Sequence, residues 1–378
     1  MDSRHGLGAG PVVAALTATL FAVAATAQTC ASCAGTGELP CRACAVERDC
    51  AFCSVATACS RCRGALATAC PDCRAGAAAV ATRATAAAAE RDAFRTALLA
   101  AGVDGTDLLR CRTAHFELLA APGRVGALAD PHTVLHRCAD WLETMRARLL
   151  EQVGNPAPPL GPCRVVLVRD ARLARRLTAA WTGREAQGLG GSGGDPTTVV
   201  LQMEAASSEA GLRRLLAHHT AHRLLAGHRL QERGYGWLDV GLAHWLEADQ
   251  GEGRCEHFCL QGRPQPPRQF HGGDWRAGAR TLLDQGRLPT LTTLLASESD
   301  RFDFVLHAHA LLLVDFLLAQ ASAPVTHGGK TPPPPLVQLL AGGIERPAAV
   351  VLPELLGKDL AAIELAMQDF LRTRGPSR

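Results

Sequence analysis

His218 and His222 stand four residues apart in the run LRRLLAHHTAHRLLAGHRL. On a helix that spacing puts both imidazoles on one face, where they can reach a single Zn²⁺. His219 lies beside them and points about a quarter turn away. A second group is made of thiols. Ten of the 15 cysteines fall between residues 30 and 76, in five C-x-x-C pairs: Cys30/Cys33, Cys41/Cys44, Cys50/Cys53, Cys59/Cys62 and Cys70/Cys73. Repeated C-x-x-C is the pattern of tetrahedral zinc sites. In an oxidising compartment the same residues form disulfides, and both readings stand here.

A short way beyond His222 comes GWLDVGLAHWLEAD, Gly236 to Asp249. Val240 and His244 are i and i+4, so they share a face. Asp239 is adjacent but rotated away from it. His218, His222 and His244 make a possible three-imidazole zinc set. His307 and His309 follow in LHAHALL, and their i, i+2 spacing turns them to different sides of a helix, so one of them can face the same cleft. Cys255 and Cys259 flank Glu256 and His257 and suit a local disulfide or a small metal site. Cys111, Cys138 and Cys163 sit in apolar surroundings that suit burial or a cross-link.

The elements that must hold these residues read as an α+β domain. AAAVATRATAAAAERDAFRTALLAA (77–101) is a breaker-free helix that spaces the cysteine block from the main domain. Arg110 to Ala121 alternates as a strand, and Val134 to Gly154 has helical period. Cys163 to Asp170 reads as a strand, ARLARRLTAAW as a helix, and Gly188 to Pro196 as a flexible glycine-rich loop. That loop lacks the lysine of a phosphate cradle. Thr197 to Met203 is then the edge strand beside the cleft. It leads into the histidine helix, and the rest is largely helical, interrupted by an exposed loop from His327 to Leu336.

Composition narrows the function. The chain has 378 residues, 47% of them hydrophobic, and a net charge of +3. That allows one large core with a smaller module. No long basic run suggests nucleic acid. Residues 28–76 hold few large apolar side chains, so metal or cross-links must stabilise them. At the start, an apolar run from Val12 to Ala25 precedes Ala25-Thr26-Ala27, as in a cleavable export signal over 1–27. No later segment reads as a membrane span. The boundaries expected are 1–27 signal, 28–76 cysteine module, 77–107 helical linker and 108–378 main domain.

Taken together, the two histidine-bearing helices resemble those of gluzincin (peptidase MA-like) metallopeptidases. Their first helix carries H-E-x-x-H, and their second reads W-L-N-E-G-L-A-E-Y. Trp237, Leu238, Gly241, Leu242, Ala243 and Trp245 match the second motif. The resemblance covers roughly Cys111 to Arg372 and is carried by these helices. It implies a zincin-like domain, with a mixed sheet, an active-site helix and a helical C-terminal part. The departures are specific. His219 stands at the general-base position, Val240 at the ligand glutamate, and His244 at the supporting glutamate.

This pattern implies a pseudopeptidase that binds polypeptide or another exported protein through a cleft lined by Val240, Asp239, His307 and His309. The alternatives are a zinc hydrolase on a rearranged three-histidine site, with the second helix shifted by about one turn, and a structural envelope protein. CASCAGTG (Cys30 to Gly37) is similar to one repeat of a DnaJ-type zinc domain, which makes zinc the expected cofactor of the cysteine block. Export to the periplasm, envelope or exterior is the expected location.

Overall fold

The computed structural model describes residues 32–33, 38–40, 65, 67–74, 76–100, 109–113, 115–120, 131–154, 163–168, 171–182, 190–192, 198–203, 208–257, 267–320 and 333–373. The expected export signal lies outside them, as do Cys30, Cys41, Cys44, Cys50, Cys53, Cys59, Cys62 and Cys259.

Val165 and Leu167 of strand β5 (Cys163–Val168) face one way, and Val166 and Val168 face the other, as the two-residue period of a strand requires. Every one of these side chains is buried, so β5 has helices on both sides. It is the middle of a five-stranded sheet. On one flank it pairs in parallel with β4 (Phe116–Ala120), which pairs antiparallel with β3 (Leu109–Arg112). On the other flank it pairs in parallel with β7 (Thr198–Gln202), and β6 (Gly190–Ser192) closes that edge antiparallel. A separate two-stranded sheet joins β1 (Glu38–Pro40) to β2 (Ala67–Ala69) in the cysteine block.

Two sequence expectations change here. The single strand from Arg110 to Ala121 is a hairpin. Its turn is closed by Thr113, whose N–H donates to the Phe116 carbonyl (2.9 Å) and whose hydroxyl accepts from Phe116 N–H (3.0 Å). Nor is Thr198–Gln202 the edge. The glycine-rich loop supplies β6 outside it, with Gly191 opposite Val200. Strand pairing uses backbone groups, so glycines can take part without a side chain to pack.

Of the helices, α1 (Ala77–Ala100) lies against α3 (Ala171–Thr182), so the expected linker is packed rather than free-standing. Ala174 and Leu177 of α3 cover the face of Leu119, Val166 and Val200. Helix α2 (Pro131–Val153) covers the opposite face together with α4 (Glu209–Leu225). Ser208 caps α4, its hydroxyl accepting from Gly211 N–H at 3.0 Å. Next come α5 (Gly236–Gln250), α6 (Trp275–Asp284), α7 (Leu291–Ala296), α8 (Phe304–Gln320), α9 (Pro335–Gly342), α10 (Ala348–Leu356) and α11 (Leu360–Thr373). The architecture is mixed α and β and mostly helical.

Helices α5 and α8 are buried almost all round, so they form the centre of the helical part. Asp315 of α8 is held by a two-pronged ion pair with Arg276 of α6, at 2.6 and 2.9 Å. No described helix is long and apolar enough to cross a membrane.

The close approach of α5 to α8 depends on Gly241. A Cβ there would come within 2.5 Å of the Ala310 carbonyl oxygen and 2.7 Å of Val314. The oxygen is backbone and cannot swing aside. Gly241→Ala is expected to lose about 2 kcal/mol, the overpacking outweighing the gain in helix preference. Gly342→Ala, where a Cβ meets nothing within 4 Å, is the control and should be neutral or slightly stabilising. Urea midpoints of the two variants check both.

Candidate functional site

The most extensively packed helix pair is α4 with α5, and the histidines of both helices meet in the seam. His218 sits 4.7 Å from His244 and 5.0 Å from His222, measured between ring centres. The atoms that organise them are carboxylate oxygens. Glu247 of α5 is fully buried. Its Oε2 contacts Nδ1 of His218 at 3.1 Å and Nδ1 of His244 at 3.2 Å. Its Oε1 faces Nδ1 of His257 at 2.8 Å and accepts the backbone N–H groups of Glu256 and His257. One carboxylate therefore joins α4, α5 and the chain that leaves α5.

Asp239, also on α5, faces Nδ1 of His222 at 3.0 Å and accepts from the Gln231 amide at 2.9 Å. It turns toward α4, and the rotation expected from the helix pattern does not keep it out of the site. The i, i+4 pair of α4 is thus answered by two carboxylates of α5, with His218 on Glu247 and His222 on Asp239.

Electrostatics follow from burial. Burial alone would raise Glu247, but the nearby His257 and the hydrogen bonds from His218, His244 and His257 outweigh it and hold the carboxyl well below its usual range. Asp239 is likewise held low, with His222 and Gln231 overcoming its burial. The imidazoles move the other way. Burial pushes His244 down to about 3 and holds His219 and His307 well below the ordinary value. These rings are neutral at pH 7.

His307 joins the cluster, its Nδ1 lying 2.8 Å from Nε2 of His244. Trp275 packs on His244 at 4.3 Å between ring centres. His309 stands apart. It is fully buried, and neither ring nitrogen has a hydrogen-bond partner among the described residues. Val240 is 2% exposed and part of the apolar core. It offers no metal donor, so the ligand set that the gluzincin resemblance implies does not fit this chain at its third position. His219 is half-buried against His218.

Among the described residues, two groups of side chains could hold a metal ion. One is His218, His244 and Glu247, whose donor atoms all lie within 4.8 Å of one another. Glu247 did not figure among the expected site residues. Its signal was its place three residues after His244, which puts it on the same helix face one turn on. The other group is Cys33, Cys70 and Cys73. Cys33 Sγ and Cys73 Sγ are 3.6 Å apart. Two sulfurs on one tetrahedral zinc at about 2.3 Å lie about 3.8 Å apart, whereas a disulfide needs about 2.05 Å. The β1–β2 pairing lies between Cys33 and the Cys70/Cys73 pair in sequence and brings Cys33 to that pair.

Outside this group, Cys111, Cys138, Cys163 and Cys255 are buried. Cys255 donates to the His244 carbonyl at 3.3 Å, and burial raises the thiols of Cys138 and Cys255 far above the reactive range. In comparisons with known proteins, no family model, curated protein or solved structure matches this chain.

Proposed function

We propose that this chain is an exported protein with a gluzincin-like domain that has lost peptidase chemistry and acts by binding polypeptide. The observation that carries this reading is Val240, an apolar core residue at the position where such peptidases place a metal-binding glutamate. His219 supports it. An imidazole pushed toward neutrality by desolvation, with no carboxylate at that position, replaces the group that would take a proton from a bound water.

The polypeptide partner follows from the sheet. β6 is its short, glycine-containing edge, and among the described residues no strand pairs with its outer side. An extended peptide adds to such an edge through backbone hydrogen bonds. The cysteine block is read as a zinc-stabilised contact module, on the strength of the Cys33, Cys70 and Cys73 group.

Fluorescein-labelled casein tests both halves of the reading in one sample. The full chain is expected to raise the anisotropy of the label and to release no peptide on prolonged incubation. Chelator-sensitive cleavage would establish the zinc-hydrolase alternative. Neither binding nor cleavage would leave the structural-protein alternative.

A further inference from the structure

We propose that His218, His244 and Glu247 form a buried transition-metal centre, suited to zinc, that fastens α4 to α5 and performs no catalysis. It stands on the geometry of these three residues and is independent of polypeptide binding and of the gluzincin resemblance.

Distance is the first argument. Two donors on one tetrahedral zinc at about 2.0–2.1 Å are separated by about 3.3 Å. The two imidazole nitrogens sit 3.1 and 3.2 Å from the same carboxylate oxygen. A hydrogen bond onto a carboxylate is shorter, about 2.7–2.9 Å, and the same residue shows that length on its other oxygen, 2.8 Å to His257. Oε1 thus has the spacing of a short charge-assisted hydrogen bond, while the Oε2 contacts, at the long end of the hydrogen-bond range, also match the spacing of ligands on one zinc.

Charge is the second. Glu247, His218 and His244 are 0% exposed. Enclosing an ionised carboxylate costs several kcal/mol unless a positive charge accompanies it. The ion-pair partners of Glu247 among the described residues are imidazoles, with no guanidinium or ammonium group. A divalent cation on the Oε2 side supplies the charge.

The third is support from outside the ligand set. Metal-binding histidines and carboxylates are oriented by hydrogen bonds to their far atoms. With the metal on Nδ1 of His244, its proton sits on Nε2 and is donated to His307 Nδ1 at 2.8 Å. Oε1 of Glu247 is pinned by His257 and two backbone N–H groups. Three protein ligands leave a fourth position open, but the complete enclosure of all three ligands keeps a substrate from reaching it. His222, tied to Asp239, lies outside the set.

The test uses the full chain, purified without chelator and loaded with zinc. Metal per chain is measured by mass spectrometry for the native protein, Glu247→Gln and His244→Gln, each checked for folding by circular dichroism. Each variant is expected to lose one zinc equivalent while the cysteine-bound metal stays. Because a variant may not fold, zinc-edge X-ray absorption of the native chain gives a second readout. It should show nitrogen and oxygen ligands at about 2.0–2.1 Å beside sulfur at about 2.3 Å. Folded variants with unchanged zinc content, or a native spectrum with sulfur ligands alone, would overturn the proposal.

Discussion

Glu247→Ala is expected to remove about 3–5 kcal/mol of folding stability, a large part of what a domain of this kind has. The reason is what it leaves behind. Three imidazoles and two backbone N–H groups lose the carboxylate they share, and each buried polar group left without a partner costs about 1–3 kcal/mol. Water cannot readily replace the carboxylate, because the residues around it are enclosed. Glu256→Ala is the contrast. That acid lies nine residues further on, is 43% exposed, and pairs with Arg214 at 2.7 Å, so its loss leaves one buried guanidinium short of a partner and should cost clearly less, about 1–2 kcal/mol. Urea denaturation of both variants decides the matter. Equal midpoints would mean that the carboxylate is not what joins α4 to α5.

That the critical acid is Glu247 shows where the sequence could be read and where it could not. The histidine helix and α2 were legible, because each repeats its apolar positions over several turns and ends at recognisable signals. The pairing of His218 with His244 across two helices was also within reach, since both histidines stand out by spacing. The acid was not. A search for carboxylates at positions 240 and 244 finds Val240 and His244 and stops, while Glu247, one turn on, carries no motif. Its role exists only because the chain after α5 turns back and offers it the N–H groups of Glu256 and His257. Asp239 differs from its expected direction for a related reason. Helix periodicity gives directions about one axis, and the way α4 crosses α5 decides which directions meet. The hairpin at Thr113 is hidden in the sequence because its turn contains neither glycine nor proline. The edge strand at Gly190 is hidden because its pairing needs only backbone.

Acid should unfold this domain between about pH 6.5 and 4, and His309 offers a clean measure of why. Burial pushes His309 down to about 4 in the folded chain, against about 6.5 when the chain is unfolded. Between those values the unfolded chain holds a proton that the folded chain does not. Stability is therefore fully present above pH 6.5, falls as the pH drops toward 4, and stops falling on this account below 4. One such histidine contributes up to about 1.4 kcal/mol per pH unit, or about 3 kcal/mol over the window. His219, His228, His244 and His307 are lowered as well and steepen the loss. Glu247 and Asp239 are held below their usual values, so their contributions disappear only at lower pH. The cluster histidines would also respond to any bound metal, whereas His309 lies outside both metal-binding groups. His309→Leu should therefore reduce the slope of stability against pH by about one proton's worth below pH 6.5. It should also raise stability near pH 5, because an apolar side chain replaces a ring whose nitrogens have no hydrogen-bond partner among the described residues. Urea midpoints at pH 7.5, 6, 5 and 4.5 for native and variant chains measure the difference. Parallel curves would show that His309 reaches a proton in the folded state and that its burial is not what makes the domain acid-sensitive.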